Sequence, residues 1–179
     1  MFAQLDTKSV YSFMDSVVDL NSYVARAKEL GYQALGLMDR DNLYAAYHFA
    51  QLASKNGLRP LIGMEANLFY EGRKIPFRLL AKNNQGYKNL MKLATELSSG
   101  QREFTAFSDY LNAIALILPS EDWEPGMTLG SEVFIGVRPE DAAKEFDYPV
   151  VPLHTVCYFE NADRSTIQML HAISQNVSL

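Results

Sequence analysis

Cysteine is almost missing from these 179 residues. The only one is Cys157. One cysteine leaves no partner for an internal disulfide and no Cys-based zinc site, and it suits a reducing compartment. Its setting, VCYF, is apolar and reads as core packing rather than as a nucleophile. Positive charge is not in excess either. The formal net charge is −5, which disfavours a long phosphate-tracking surface and leaves room only for a small basic patch. No apolar run approaches the roughly 20 residues of a membrane span. The opening MFAQLDTKSV lacks a basic segment followed by an apolar one, so no secretory signal is visible. G-x-G-x-x-G, the P-loop and G-x-S-x-G are all absent, which argues against nucleotide binding of those kinds and against a serine-hydrolase elbow. No short repeat or low-complexity tract interrupts the chain. A cytoplasmic protein without membrane contact is expected.

Apolar residues, by contrast, make up 48% of the chain. That is enough for one domain with a sizeable core, spanning 1–179. FAQLD (2–6) reads as a strand, and Leu20, Val24, Ala27 and Leu30 form a helical face stopped by Gly31. ALGLMD (34–39) is a buried-type strand. Leu43, Ala46, Tyr47, Ala50 and Ala53 mark a second helix, closed by Gly57. PLIGMEANLFY (60–70) and IPFRLLA (75–81) read as a hairpin around EGRK. Tyr87, Leu90, Met91 and Ala94 give a third helix, ending near Gly100. AIALIL (113–118), EVFIGV (132–137) and YPVVPLH (148–154) are further strands, with a loop over 119–131 and a short helix opened by Pro139. A last helix from about Ala162 carries Ile167, Leu170 and Ile173. The chain ends at QNVSL with no closing strand in view, which reads as a domain cut from a longer protein. Alternating strands and helices imply parallel pairing through right-handed crossovers. An open doubly wound sheet and a closed α/β barrel both fit.

In such folds ligands sit at the carboxyl ends of the strands. The residues there are Asp6, Asp39, Glu65 and His154. Together they suit Mg²⁺, Mn²⁺ or Zn²⁺. A competing reading treats each as ordinary. A carboxylate past a strand often caps the next helix, as Asp41 would near Asn42. His154 would be a half-buried loop histidine. His48 and His171 fall inside amphipathic helices. Tyr44, Tyr47 and Phe49 read as core and rim rather than as a base-stacking platform.

The strings FAQLDTKSVYSFMDS and VARAKELGYQALGLMDRDNLYAAYHFAQLASKNGLRPLIGME resemble the "polymerase and histidinol phosphatase" (PHP) domain of the bacterial DNA polymerase III alpha subunit, Gram-positive type. The resemblance runs over 2–65, resumes at FRLLAKNNQGYKNLMKLATELSS (77–99) and returns at VVPLHTVCYFENADRS (150–165). The stretch 101–147 is shortened. The resemblance implies a distorted (β/α)7 barrel, and ranks it above the open sheet. It also implies a metal site, whose motifs are altered here. Where the family has HLHVHTEYS this chain has QLDTKSVYS, so Gln4, Asp6 and Lys8 replace histidines. Thr-Asp-His-Gly-Asn becomes Met38-Asp39-Arg40-Asp41-Asn42. Glu65 is kept. Asp-x-His-Tyr becomes Thr155-Val156-Cys157-Tyr158.

Asp39 and Glu65 therefore remain, while the histidines expected at 6, 8, 40 and 157 do not. Two unit charges about 4 Å apart interact by about 4 kcal/mol at an effective dielectric of 20. Lys8 and Arg40 would repel a divalent ion accordingly, and arginine cannot deprotonate to relieve this. The same cations are expected to pair with Asp6, Asp39 and Glu65. By resemblance, the parent protein is a DNA-directed DNA polymerase, a nucleotidyltransferase using Mg²⁺, with DNA, replisome proteins and the rest of its own alpha subunit as partners. This piece is then a scaffold with no catalytic residue and no cofactor of its own. The alternative is a residual 3′–5′ exonuclease or pyrophosphatase holding Zn²⁺ or Mn²⁺ on Asp6, Asp39, Glu65 and His154.

Overall fold

The computed structural model describes residues 3–130, 132–141 and 143–177. Phe2 and the last two residues of QNVSL, on which two of the expectations above bear, lie outside them. Nine strand segments are present among the described residues: β1 (Ala3–Gln4), β2 (Asp6–Thr7), β3 (Ala34–Arg40), β4 (Arg59–Tyr70), β5 (Arg73–Ala81), β6 (Ile114–Pro119), β7 (Val133–Val137), β8 (Val150–Pro152) and β9 (Thr155–Val156). Four α-helices accompany them: α1 (Leu20–Glu29), α2 (Ala46–Lys55), α3 (Asn84–Ser98) and α4 (Asp163–Gln175). The mixed 101–112 stretch holds a 3-10 helix, Phe104–Tyr110. The helix expected at Pro139 is a single 3-10 turn, Pro139–Asp141.

Seven strands form one sheet in the order β1-β3-β4-β5-β6-β7-β8, and β2 pairs with β9. β1 and β2 are successive parts of one segment broken at Leu5. β8 and β9 are likewise parts of one segment. The pairing Asp6↔Thr155 and Thr7↔Val156 therefore joins the two sheet edges. The curled seven-stranded sheet thus has its two edges brought together by a short two-residue pairing. The strand expected over 148–154 is split into β8 and β9 and runs on to Val156, and among the described residues no strand follows α4. Pairing is parallel except around β5, which is antiparallel to both β4 and β6. The β4–β5 hairpin turns on Glu71 and Gly72, both at positive φ (51° and 79°), as a two-residue primed turn requires.

Local sequence explains the helices. Asp19 caps α1 by accepting from the Asn21 and Ser22 N–H groups, and Asn83 caps α3 at Gln85 and Gly86. The apolar faces differ in part from expectation. α2 buries Ala46, Phe49 and Ala53, whereas Tyr47 stands 70% exposed. α3 buries Leu90, Leu93 and Leu97 and leaves Met91 outside. Leu30 and Ile173 are also exposed. Tyr47 and Met91 each lie next to a buried or sheet-facing residue, about 100° round the helix from it.

The two sides of the sheet carry different chemistry. Outward-facing Met64, Ala66, Leu68, Phe77 and Leu79 pack with α3 and the 3-10 helix. Leu35 and Leu37 pack with α1 and α2. The inward side is narrow. A side chain at Gly36 would collide with the Leu5 backbone, and one at Gly63 with Met38. Further along the same inward row, strand register sets Arg40 beside Glu65, Glu65 beside Arg78, and Arg78 beside Ile117. Side chains directly opposite on adjacent strands interact, so this row is a cation–anion–cation ladder.

Candidate functional site: a buried ion-pair cluster

The ladder is the middle of a larger cluster at the barrel mouth. Glu65 is buried and receives three cations. Lys8 Nζ lies 2.9 Å from Oε2, Arg40 Nε 2.9 Å from Oε1, and Arg78 Nη2 3.2 Å from Oε2. Asp15 is the second hub. Its Oδ2 takes Lys8 Nζ at 2.7 Å and Arg40 Nη2 at 2.8 Å, and its Oδ1 lies 3.1 Å from His171 Nε2. At the closing seam, Asp6 Oδ2 accepts from Arg78 Nε at 3.0 Å and from the Thr155 hydroxyl at 2.6 Å. Arg78 also donates to the Pro76 carbonyl. One guanidinium from β5 thus ties β4 to the β2–β9 seam.

Burial pushes the carboxyls of Asp15 and Glu65 upward, but the surrounding charges win. The Lys8 ammonium, with Arg40, brings Asp15 below the usual carboxylate range, and Lys8 and Arg78 do the same for Glu65. Buried charges of this kind persist only where paired and hydrogen-bonded.

Asp39, expected in an ion pair, is held otherwise. Its carboxylate accepts from the Ser9 N–H, the Ser9 hydroxyl and the Ser12 hydroxyl, each at 2.7 Å. Asp41 sits at φ 55°, accepts from Arg102 at 2.7 Å and from the Asn67 N–H, and pins the β4 end. It does not cap α2, which begins at Ala46. The His154 side chain is exposed and joins none of these contacts among the described residues; its carbonyl accepts from Gln4. Thr155 joins the seam. Cys157 is half-buried, and burial together with Asp15 pushes its thiol up, away from a reactive thiolate.

Five contributors were missed by sequence reading: Ser9, Ser12, Asp15, Arg78 and His171. Asp15, Ser9 and Ser12 lie in a loop with no periodicity to reveal them. Arg78 leaves a readable signal, a lone cation inside the apolar strand IPFRLLA.

The donor set does not fit a resident metal. Among the described residues no group of three or more His, Cys, Asp and Glu side chains is placed to hold one. Both Glu65 oxygens and Asp15 Oδ2 already face ammonium or guanidinium groups. Asp6 Oδ1 is a buried carboxylate oxygen without a hydrogen bond, and one such ligand falls short of the four to eight that zinc, magnesium or calcium take.

Comparison with known proteins gives a consistent result. The family model described as the PHP domain matches residues 4–124. DNA polymerase III subunit alpha of Streptococcus pyogenes serotype M1 is 46% identical over 181 aligned residues, covering 100% of this chain and 18% of the relative. The subunit of the same name in Bacillus subtilis (strain 168) is 33% identical, covering 67% of this chain and 11% of its own. The chain spans about a fifth of the length of the first of these relatives. Among solved structures, a protein described as a metal-dependent phosphoesterase from Bifidobacterium adolescentis is 16% identical with a TM-score of 0.45, covering 52% of this chain and 32% of that one. An amidohydrolase from Chromobacterium violaceum is 18% identical with a TM-score of 0.46, over 55% and 34% of the two chains. Likenesses this slight leave the fold resting on the strand pairings. No described helix is long and apolar enough to cross a membrane.

Proposed function

We propose, from the premise that this chain belongs to the PHP domain family, that it is the N-terminal PHP domain of a DNA polymerase III alpha subunit and serves there as a scaffold. Its metal site is degenerate: Asp6, Lys8, Asp39, Arg40, Glu65, Thr155 and Cys157 stand at the former ligand positions, and side-chain cations replace the metal. The observation that carries the reading is the double bridge of Lys8 and Arg40, each pairing with both Asp15 and Glu65. An ammonium and a guanidinium on these oxygens neutralise them without any metal. They also join the 8–15 loop to β3 and β4, while Arg78 joins β5 to the seam.

The parent protein is then a cytoplasmic DNA-directed DNA polymerase, working with DNA, replisome proteins and the rest of its own subunit. Mg²⁺ would supply the two-metal phosphoryl-transfer chemistry there, on carboxylates outside these 179 residues. The competing reading, a residual phosphoesterase using Zn²⁺ or Mn²⁺, needs Asp6, Asp39, Glu65 and His154 as ligands. Asp39 saturated by serines and His154 turned away from the cluster both favour the scaffold. The test is elemental analysis of the purified chain with a phosphoesterase assay in added Mn²⁺ or Zn²⁺. The scaffold reading predicts metal well below one equivalent and no activity. Stoichiometric metal with activity lost in Asp39→Ala would overturn it.

A further inference from the structure

The loop between β2 and α1 is built inside out. Of residues 8–16, the polar Lys8, Ser9, Ser12, Asp15 and Ser16 are buried, while the apolar Val10, Tyr11 and Phe13 are 49%, 46% and 84% exposed. The polar residues fix the loop. Ser9 and Ser12 are held by Asp39, Lys8 by Asp15, and the Ser16 hydroxyl donates to the Lys8 carbonyl. The Val10 N–H bonds to the Val18 carbonyl, and Met14 is held at φ 62°. The backbone of Tyr44, a residue 80% exposed, is tied to this loop through the Asn42 side chain. Asn42 donates to the Tyr11 carbonyl and accepts from the Tyr44 N–H, both at 3.1 Å. The result is an ordered loop that turns Val10, Tyr11 and Phe13 outward beside the ion cluster, with the Tyr44 backbone tied to it through Asn42.

Exposed apolar side chains on a rigid frame have the composition of an interface core, and the frame's ordering entropy is already spent. Nucleic acid is a poor occupant. The cation beside the patch, Arg40, is bound to two carboxylates, and the chain carries a net charge of −5. A polypeptide surface suits it better. In the 46% identical relative, the region matching this chain is 18% of the length, so more than four-fifths of that polypeptide lies outside it.

We infer that Val10, Tyr11, Phe13 and Tyr44 form the docking surface of this domain for an apolar face of the remaining polymerase polypeptide. The inference rests on the scaffold reading above, and names the surface through which the scaffold acts. The polar anchors then have a second consequence: Asp39 on Ser9 and Ser12, and Lys8 and Arg40 on Asp15, hold the loop in its presenting conformation.

The test uses the full-length Streptococcus pyogenes subunit with its matching region exchanged for this chain and a protease site at each junction. After cleavage, the wild-type domain is expected to stay with the remainder on a sizing column. The Phe13→Asp/Tyr44→Asp variant should separate, with affinity at least roughly tenfold weaker per residue. Both side chains are exposed, so the isolated variant should melt as wild type; Phe13→Ser/Tyr44→Ser repeats the comparison should it not. A photo-cross-linking group at position 13 of the uncut chimera should form adducts outside the domain. Variants that co-elute like wild type would overturn the surface while leaving the scaffold reading intact. A wild-type domain that separates would overturn the scaffold reading itself. A patch that instead joins two copies of the chain, or whose loss weakens oligonucleotide binding alone, would also contradict the inference.

Discussion

Phe77 and Arg78 are neighbours on β5, yet they belong to different solvents. Phe77 faces outward into a layer of Met64, Leu68, Leu79 and the helix residues Leu90 and Leu93, all fully buried. Arg78 faces inward to Asp6, Glu65 and Thr155. The outer layer is non-directional and tolerates exchange of one apolar group for another of similar volume. The inner cluster is directional: Asp6, Asp15 and Glu65 each face one or more of Lys8, Arg40 and Arg78. The barrel is therefore fastened twice, by packing outside and by charge inside, and the two fastenings should fail differently.

Removing one group from each side should have the largest effect. Phe77→Ala is expected to cost about 3–5 kcal/mol through lost transfer energy and a cavity. Arg78→Ala should cost a similar ~3–5 kcal/mol, because two buried carboxylates lose a partner. Urea denaturation at neutral pH measures both. An Arg78→Ala cost near zero would mean the cluster contributes nothing to closure.

Acid separates the two regions next. Asp15 and Glu65 have folded pKa values below their unfolded ones, so their contribution is fully present above about pH 4–5. It is lost as pH falls through the depressed folded values. Phe77→Ala should keep this acid dependence, and Arg78→Ala should lose part of it. Equal pH profiles for the two variants would mean that the inner charges carry no acid-dependent stability.

The outer layer was legible in the sequence because apolar periodicity is local. Leu20, Val24 and Ala27 on α1, or the run ALGLMD on β3, declare their burial within a few residues. The closing seam was less legible. β8 and β9 are short and irregular, and β9 finds its partner β2 about 150 positions away. In the cluster, Asp6, Asp39 and Glu65 were found because polar residues at strand ends stand out. Their partners were not, since ion pairs carry no spacing rule: Arg78 meets Asp6 across 72 positions and Asp39 meets Ser9 across 30. Arg40 is the ion-pair residue its sequence position suggests, but it pairs with Asp15 and Glu65, not with Asp39.

Smaller effects sharpen the contrast between inner and surface charge. Arg40 is 42% exposed by side chain yet bonds two nearly buried carboxylates. Arg40→Ala is expected to cost roughly 1–2 kcal/mol, more than an exposed-charge change. Lys82 makes a 2.8 Å pair with Glu132 at the surface, both about half exposed. Lys82→Ala should stay within about 0.5 kcal/mol. Thermal melting of the two variants side by side decides whether depth or mere pairing governs the cost.

If Lys8, Arg40 and Arg78 take the place of a metal ion at this cluster, added metal should leave the stability of the fold unchanged. Melting the purified chain in EDTA and in excess Mn²⁺ or Zn²⁺ checks this. A bound ion at a hundred times its Kd would stabilise the fold by about 2.7 kcal/mol, a shift of several degrees. Superimposable melting curves are expected in all three conditions. A melting temperature that rises by several degrees with metal and falls with chelator would contradict this replacement of metal by side-chain cations.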